Sequence, residues 1–330
     1  MAGTKMRRAL MVMIVTAAIC GVIQVSGPRP LEVAEAAPVP VYNAPPGGGP
    51  VTYETLLEGP FTLAPQGQPG DQDEGAGPVK RPVGAFGLKS IEFDLVDVNG
   101  VSISKHDVHL HHYVIGQAFA KDDACPDRQV MGYDARPLVG TGAERTPIAF
   151  PDPYAILIGE DDVWGAVWHL MNMTDTTQTL YVKYTVGLQR GATPENTRPL
   201  TPFWTDWDGC PAGDVRVVPG DGGPGSVYSL SHQWAMPSAG IVVGIGGHLH
   251  EGGIDVVVSH QDGTEMCRSS AVYGSMGHLD RIVPCLLHDT VATGEQLMVT
   301  ANYDNSARYE DVMGMAVLYV WFGDQGPPPP

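Results

Sequence analysis

Two histidines separated by one residue stand within a run of glycines in "GIGGHLHEGGID", residues 244–255. Residues i and i+2 of a β-strand face the same side, so His248 and His250 can direct both imidazoles at one point. The flanking glycines would let the backbone bend closely around an ion. The stretch is predicted to chelate a metal, the alternative being an exposed polar segment of strand.

Methionines near the C-terminus could complete that chelate. In "DVMGMAVLYVWF", Met313 and Met315 lie two residues apart and share a strand face. Two imidazoles and a thioether favour copper over zinc or magnesium, because Cu(I) accepts soft sulfur ligands. Either methionine, taken alone, is also explained as core filling.

A second group of histidines lies in "HDVHLHHYV", residues 106–114. Simple alternation places His109 and His111 on one face, and it separates His111 from His112 unless the strand bulges or ends there. Either pair could chelate a metal. His169, in "VWHLMN", is by itself typical of a core histidine with satisfied hydrogen bonds.

The segments that carry these histidines have the pattern of short strands. Aromatic and β-branched residues dominate runs such as "SIEFDLVDV", "TLYVKYTVGL" and "IDVVVSH". The chain also contains 41 Gly and 29 Pro, which indicate frequent turns, and no segment has a convincing helical period. An all-β fold is therefore predicted, with a break in the turn-rich stretch "PFWTDWDGCPAGD".

The N-terminus is typical of a secretory signal peptide. Basic residues precede an apolar run from Ala9 to Val25, and a small-residue cleavage pattern follows at Ala34-Glu35-Ala36. An uncleaved membrane anchor, or a lipid anchor at Cys20, is the alternative. The predicted organisation is a signal peptide (1–36), a Pro/Gly-rich disordered arm (37–85), a first β-sandwich (86–208), a second β-sandwich (209–325) and a Pro tail (326–330).

Charge and cysteine content fit a secreted, extracellular protein. The formal net charge of -18 argues against nucleic acid and against anionic membrane surfaces as partners. After signal cleavage four cysteines remain, an even set that predicts two disulfides in an oxidising compartment. Three connectivities are open, and we favour Cys125 with Cys210 and Cys267 with Cys285, since each pair then stays within one structural unit. A four-thiolate zinc site is the alternative, but no CxxC spacing supports it.

Two long stretches carry a family resemblance. "GGHLHEGGIDVVVSHQDGTEMCRSSAVYG" and "GEQLMVTANYDNSARYEDVMGMAVLYV" resemble the stress up-regulated nodulin family, as does "FDLVDVNGVSISKHDVHLHHYV". The order of the histidine and methionine landmarks is also similar to that of the copper type II, ascorbate-dependent monooxygenases, the group of peptidylglycine hydroxylating monooxygenase. Together these resemblances extend from about Ile91 to Phe322.

The second resemblance implies a fold, two copper ions and a reaction. It implies two tandem jelly-roll β-sandwiches, one copper on each, and hydroxylation of a C–H bond with ascorbate or another external reductant. Met313 is preferred to Met315 because its V-M-G context matches the position of the copper methionine. The ligands implied are His111, His112 and His169 for the first copper, and His248, His250 and Met313 for the second.

Departures from that family keep other functions open. Gly246 and Val317 stand where the peptide-amidating enzyme has a basic residue and a tyrosine for the substrate carboxylate, so a peptidylglycine substrate is not implied. The substrate stays unassigned. The alternatives are a non-catalytic copper-binding or stress-related sandwich, a cupin, and a metal-free surface or carbohydrate module that uses Trp204, Trp207 and Tyr228.

Overall fold

The computed structural model describes residues 49–210, 216–274 and 277–323. Every regular element within these residues is a β-strand, which confirms the all-β prediction. The strands of the first part are β1 (Val51–Leu63), β2 (Gln72–Pro78), β3 (Phe86–Asp97), β4 (Val108–Ala118), β5 (Gln129–Val130), β6 (Tyr133–Thr141), β7 (Ile148–Ala149), β8 (Tyr154–Ile158), β9 (Trp164–Asn172), β10 (Gln178–Gln189) and β11 (Arg198–Pro199). Those of the second part are β12 (Thr201–Asp206), β13 (Arg216–Val218), β14 (Val227–Ala235), β15 (Gly240–Leu249), β16 (Gly253–Ser259), β17 (Glu265–Tyr273), β18 (Leu279–Ile282), β19 (Cys285–Val291), β20 (Gln296–Asp304), β21 (Tyr309–Val312) and β22 (Gly314–Trp321).

These strands form four larger sheets. Sheet 1 has the order β1-β10-β3-β8-β11 with β7 on β3, and sheet 2 has the order β2-β9-β4-β6-β5. Sheet 3 has the order β12-β22-β15-β19, and sheet 4 has the order β14-β20-β16-β17-β18. A two-stranded ribbon joins β13 to β21. The sheets pack in a sandwich-like arrangement, in agreement with the predicted fold class.

Two hydrophobic cores lie between these sheets, and sheet 3 belongs to both. Sheets 1 and 2 enclose the first core, whereas sheets 3 and 4 enclose the second. Along β22 and the residue before it, alternate side chains divide between the cores. Those in the first core are Met313, Met315, Val317 and Tyr319, and those in the second are Ala316, Leu318 and Val320.

The predicted disordered arm is wrong where it covers β1 and β2. β1 pairs with β10 from Val51 opposite Gln189 to Leu63 opposite Gln178, with an irregularity between Glu58 and Phe61, and β2 pairs with β9. Each is the edge strand of its sheet, a position that tolerates Gly and Pro and needs little apolar alternation. Composition therefore concealed two strands that backbone hydrogen bonds hold in place.

The proposed division at residues 208 and 209 stays a prediction. β12 lies before that boundary but pairs with β22 of sheet 3, and the described residues fall within one compact unit. The predicted signal peptide (1–36), Cys20 and the Pro tail (326–330) lie outside the described residues. In the part that is described, no helix combines the length and hydropathy needed to span a membrane.

Both favoured disulfides are confirmed. Cys125 bonds to Cys210, and Cys267 bonds to Cys285. Cys125 packs in the second core although it lies in the loop between β4 and β5, so its bond anchors that loop beside the second sandwich. The four thiols are thereby excluded as a zinc site.

Candidate metal centre

A bulge in β4 brings two adjacent histidines to one side of sheet 2. The register with β9 shifts between Leu110 and His112, so His111 is the extra residue. Beyond the bulge, His112 lies directly opposite His169. Simple alternation would separate His111 from His112 unless the strand bulges between them, and the structure contains this bulge.

The three imidazoles of this cluster converge through their Nδ1 atoms. Nδ1 of His111 lies 3.1 Å from Nδ1 of His112 and 3.2 Å from Nδ1 of His169. Nitrogens at about 2.0 Å from a four-coordinate ion are about 3.3 Å apart, so this spacing fits ligands of a single ion. Of the described residues, this is the one group of three that has metal-ligand spacing.

Gln72 of β2 orients the third imidazole. Its Oε1 atom lies 3.0 Å from Nε2 of His169 and accepts a hydrogen bond from that nitrogen. Nδ1 of the same ring then carries the lone pair that can bind a metal. Such an outer partner fixes both the tautomer and the direction of a metal-binding histidine. The strand that composition concealed thus contributes directly to the cluster.

The second pair, His248 and His250, lies where β15 ends beside β22. His248 is directly opposite Met315, and Leu249 is opposite Gly314. Both methionines, Met313 and Met315, are buried, and they line one cavity together with His248.

Each imidazole of this pair is anchored through Nδ1. Nδ1 of His248 lies 3.5 Å from Oε1 of Glu144, and Nδ1 of His250 donates to the carbonyl oxygen of Asp311. The remaining Nε2 atoms of both rings are buried and have no hydrogen-bond partner. Because a buried polar atom without a partner is unfavourable, these two nitrogens fit the role of ligands for a bound ion.

The backbone around the pair is shaped for close approach. A Cβ at Gly142 would lie 2.6 Å from Cε1 of His248, so only glycine leaves room for the ring. Gly142 also donates its amide to Oε1 of Glu144 at 2.8 Å. On the other side, Asp311 has a φ of 54°, a left-handed conformation that aspartate tolerates better than most residues.

The two histidine groups touch each other. The ring centroids of His111 and His250 are 4.2 Å apart, and those of His111 and His169 are 4.7 Å apart. His109 lies beside them, with its ring centroid 5.8 Å from that of His111. The structure therefore gathers every histidine of the implied ligand set into one region, with His109 next to it.

The electrostatics of this region favour neutral imidazoles. Burial, reinforced by neighbouring histidines, lowers the pKa of His112 to about 4 and lowers the pKa values of His111 and His250 well below the usual range. Burial alone would raise the pKa of Glu144, but His248 and nearby backbone amides hold it below its ordinary value. Neutral imidazole is the form that binds metal, and an ionised Glu144 compensates positive charge.

Sequence reasoning missed the outer partners Glu144, Gln72 and the Asp311 carbonyl. Glu144 lies 104 residues from His248 in the chain, and Gln72 lies 97 residues from His169. No local spacing reveals either contact. Trp204 and Trp207, considered as lining residues of a ligand cleft, are buried, at 5% and 2% exposure, and pack in the first and the second core.

Comparison with known proteins agrees with the resemblance read from the sequence. Residues 217–324 match the family model described as stress up-regulated Nod 19. A protein named probable copper-dependent oxygenase clz3, from Cochliobolus lunatus, is 23% identical over 249 residues, 66% of this chain and 73% of that protein. A protein from Phoma sp., also named probable copper-dependent oxygenase, is 24% identical over 288 residues, 79% of this chain and 70% of that protein.

Solved structures show only weak overall similarity. The major capsid protein P2 of bacteriophage PM2 aligns over 83% of this chain and 99% of its own, at 8% identity and a TM-score of 0.38. A peptide-N(4)-(N-acetyl-β-D-glucosaminyl) asparagine amidase aligns over 81% of this chain and 96% of its own, at 10% identity and a TM-score of 0.35. These scores are too low to support an inference, so the relationship rests on the sequence comparisons: residues 217–324 carry the similarity to the stress up-regulated Nod 19 family.

Proposed function

We propose that this chain is an exported copper protein that hydroxylates a C–H bond with electrons from an external reductant such as ascorbate. The observation that carries the proposal is the pair of histidine groups: the Nδ1 atoms of the first converge, and the Nε2 atoms of the second are buried without a partner. The names of the two distant relatives support the choice of copper. The two disulfides are compatible with export.

The first copper would be held by His111, His112 and His169, and the second by His248, His250 and Met313. Copper held by imidazole and thioether ligands supplies one-electron redox chemistry and the activation of dioxygen. In the balanced reaction one oxygen atom enters the C–H bond, and the other leaves as water after uptake of two electrons and two protons.

Other residues of the chain preorganise the proposed ligands for metal binding. Gln72, Glu144 and the Asp311 carbonyl keep one nitrogen of each anchored ring protonated, so the opposite nitrogen faces the ion. Burial keeps the imidazoles of His111, His112 and His250 uncharged, and Glu144 supplies a negative charge beside the second group. Met313 and Met315 are buried beside His248 on the lining of one cavity.

Copper stoichiometry and oxygen uptake test the proposal. The purified protein should bind two copper equivalents and consume dioxygen when ascorbate and a substrate are supplied. His111→Ala and His112→Ala should each lose about one equivalent, whereas the matched variant His109→Ala should keep both. Copper binding without any ascorbate-dependent turnover would favour the non-catalytic alternative, and no copper binding at all would refute the proposal.

A further inference from the structure

One buried tyrosine bridges the two segments that carry the second group of candidate ligands. Tyr303, in β20 of sheet 4, is fully buried. Its hydroxyl accepts a hydrogen bond from the backbone amide of His250 at 2.9 Å and donates one to the backbone carbonyl of Met313 at 2.5 Å. A phenol hydroxyl has one proton to donate and lone pairs that accept, so both bonds can exist together. A single oxygen atom therefore links both residues.

The bridge lies where the pairing of two strands ends. β15 ends at Leu249, one residue before His250, and β22 begins at Gly314, one residue after Met313. The pairing of these strands ends with Leu249 opposite Gly314. His250 and Met313 lie directly beyond that last pair, so the strand register does not fix their separation. The Tyr303 hydroxyl supplies this link instead.

Packing of the ring fixes the position of this hydroxyl. The Tyr303 ring lies against Trp207, with the two ring centroids 5.6 Å apart. The backbone amide of Trp207 donates to the carbonyl of Gly314 at 2.9 Å. A Cβ at Gly314 would lie 2.8 Å from the Trp207 ring, so glycine is needed for this close approach. The aromatic pair thus holds Tyr303 beside the residue that follows Met313, and removal of the hydroxyl alone leaves this packing in place.

A second tyrosine holds the same turn from its other end. The hydroxyl of Tyr273 in β17 donates to the carbonyl of Gly253 at 2.8 Å, and the amide of Gly253 donates to the carbonyl of His250 at 3.0 Å. Both tyrosines therefore stabilise the turn that follows the HxH pair. Of the two hydroxyls, the one on Tyr303 also bonds to Met313. A comparison of the two distinguishes the stability of the turn from the spacing of the two candidate ligands.

We propose that Tyr303 is a positioning residue that keeps the Met313 thioether in reach of the second histidine pair and thereby makes this group selective for Cu(I). The assignment rests on the proposed function for the identity of the metal. Thioether sulfur binds Cu(I) readily, whereas Cu(II) prefers nitrogen and oxygen ligands. His250 keeps a separate anchor, because its Nδ1 donates to the carbonyl of Asp311. Loss of the bridge should therefore displace the sulfur ligand more than the imidazoles.

Copper titrations of Tyr303→Phe and of the matched variant Tyr273→Phe test this proposal. Both substitutions are placed in full-length His169→Ala protein, which disables the first group, and chelators specific for each oxidation state report the Cu(I) and Cu(II) affinities. We expect Tyr303→Phe to bind Cu(I) about 10-fold more weakly, with a weaker copper–sulfur scattering path and little change in Cu(II) affinity. Tyr273→Phe should keep both affinities. Unchanged Cu(I) affinity in Tyr303→Phe, equal losses for the two oxidation states, or equal effects of the two variants would overturn the proposal.

Amide hydrogen exchange of the metal-free full chain tests the bridge without copper. Tyr303→Phe should accelerate exchange of the His250 amide about fivefold, as loss of one hydrogen bond implies, while the amide of Val299 in the middle of β20 stays protected and shows that sheet 4 is folded. Unchanged exchange at His250 would overturn this proposal and leave the proposed function intact. If exchange and Cu(I) selectivity change as expected but the parent protein shows no ascorbate-dependent oxygen uptake, the catalytic function fails and the role of Tyr303 stands.

Discussion

Single atoms decide whether the two histidine groups can hold metal. Nε2 of His248 and Nε2 of His250 are buried without a partner, while the opposite nitrogen of each ring is engaged. The tautomer is thereby set before any ion binds, which lowers the reorganisation that binding requires. In the first group, Gln72 does the same for His169.

The choice between the two methionines is the sharpest prediction at this scale. Met313→Ile should abolish the copper–sulfur scattering path in X-ray absorption spectra of the reduced protein, with the fold retained because side-chain volume changes little. Met315→Ile is the matched control, buried to nearly the same extent at 7% against 6%. If the path survives in Met313→Ile and vanishes in Met315→Ile, the ligand is the methionine opposite His248.

A surface histidine provides a pH prediction away from the metal centre. Burial would lower the pKa of His260, but hydrogen bonds to Glu295 and Asp289, at 2.7 and 3.1 Å, outweigh it and raise the pKa. The folded state therefore favours the protonated ring. The resulting stabilisation is fully present below the unfolded pKa of about 6.5 and is lost as the pH rises through the higher folded value.

His260→Gln should accordingly lower the free energy of unfolding by about 1 kcal/mol at pH 5.5 and by less at pH 8.5. Urea denaturation at both pH values measures the difference. His288→Gln, at an exposed position of β19, is the control and should have little effect at either pH. An equal loss for His260→Gln at both pH values would indicate that packing, not charge, is responsible.

At the scale of elements, β-strand register explains what the sequence could and could not predict. Alternation predicted that His248 and His250 share a face; β15 is regular up to Leu249, His250 follows directly after it, and the two ring centroids lie 5.1 Å apart. Alternation alone could not choose between the His109–His111 and His111–His112 pairs, since the bulge is defined by the pairing of β4 with β9. The all-β class followed from the strand-like runs and the turn residues, and the even number of cysteines predicted two disulfides, whose pairing was favoured among three connectivities.

The concealed edge strands show a second limit of sequence reasoning. β2, "QDEGAGP", contains little that marks a strand, and its position depends on backbone pairing with β9. Gln72, which orients His169, was therefore hidden inside a stretch predicted to be disordered. The role of Glu144 could not be predicted for another reason. Glu144 lies in a loop without a periodic sequence pattern, and only the folded chain brings this loop beside His248.

The contribution of β2 to metal binding can be tested through Gln72. Gln72→Leu removes the acceptor for Nε2 of His169 and should weaken copper binding at the first group by about 10- to 100-fold. Competition with a copper chelator measures the affinity. Gln233→Leu, an exposed position of β14, provides the matched control. Unchanged affinity in Gln72→Leu would mean that the contact with His169 has no role in orienting it.

At the scale of the whole molecule, covalent bonds reinforce the packing of the sheets. Cys267 of β17 and Cys285 of β19 join sheet 4 to sheet 3 across a sequence separation of 18. A crosslink over a loop of this length contributes about 3 kcal/mol, largely by restricting the unfolded chain. The bond therefore stabilises the sandwich whose sheet 3 carries His248 and the two methionines.

The double variant Cys267→Ala/Cys285→Ala should lose about 3 kcal/mol of unfolding free energy in denaturant titration. Its metal affinity should change little at temperatures where it remains folded, because neither cysteine belongs to the histidine groups. A stability equal to that of the parent protein would show that the bond adds nothing beyond the packing of the sheets.

The division of sheet 3 between both cores has a consequence for how the molecule melts. One face of β22 completes the first core and the other completes the second, so neither core can open without exposing apolar surface that belongs to its neighbour. The two cores should therefore share a single calorimetric transition rather than show two. If the two cores were produced as separate recombinant fragments, each fragment would expose an apolar face to solvent and should aggregate.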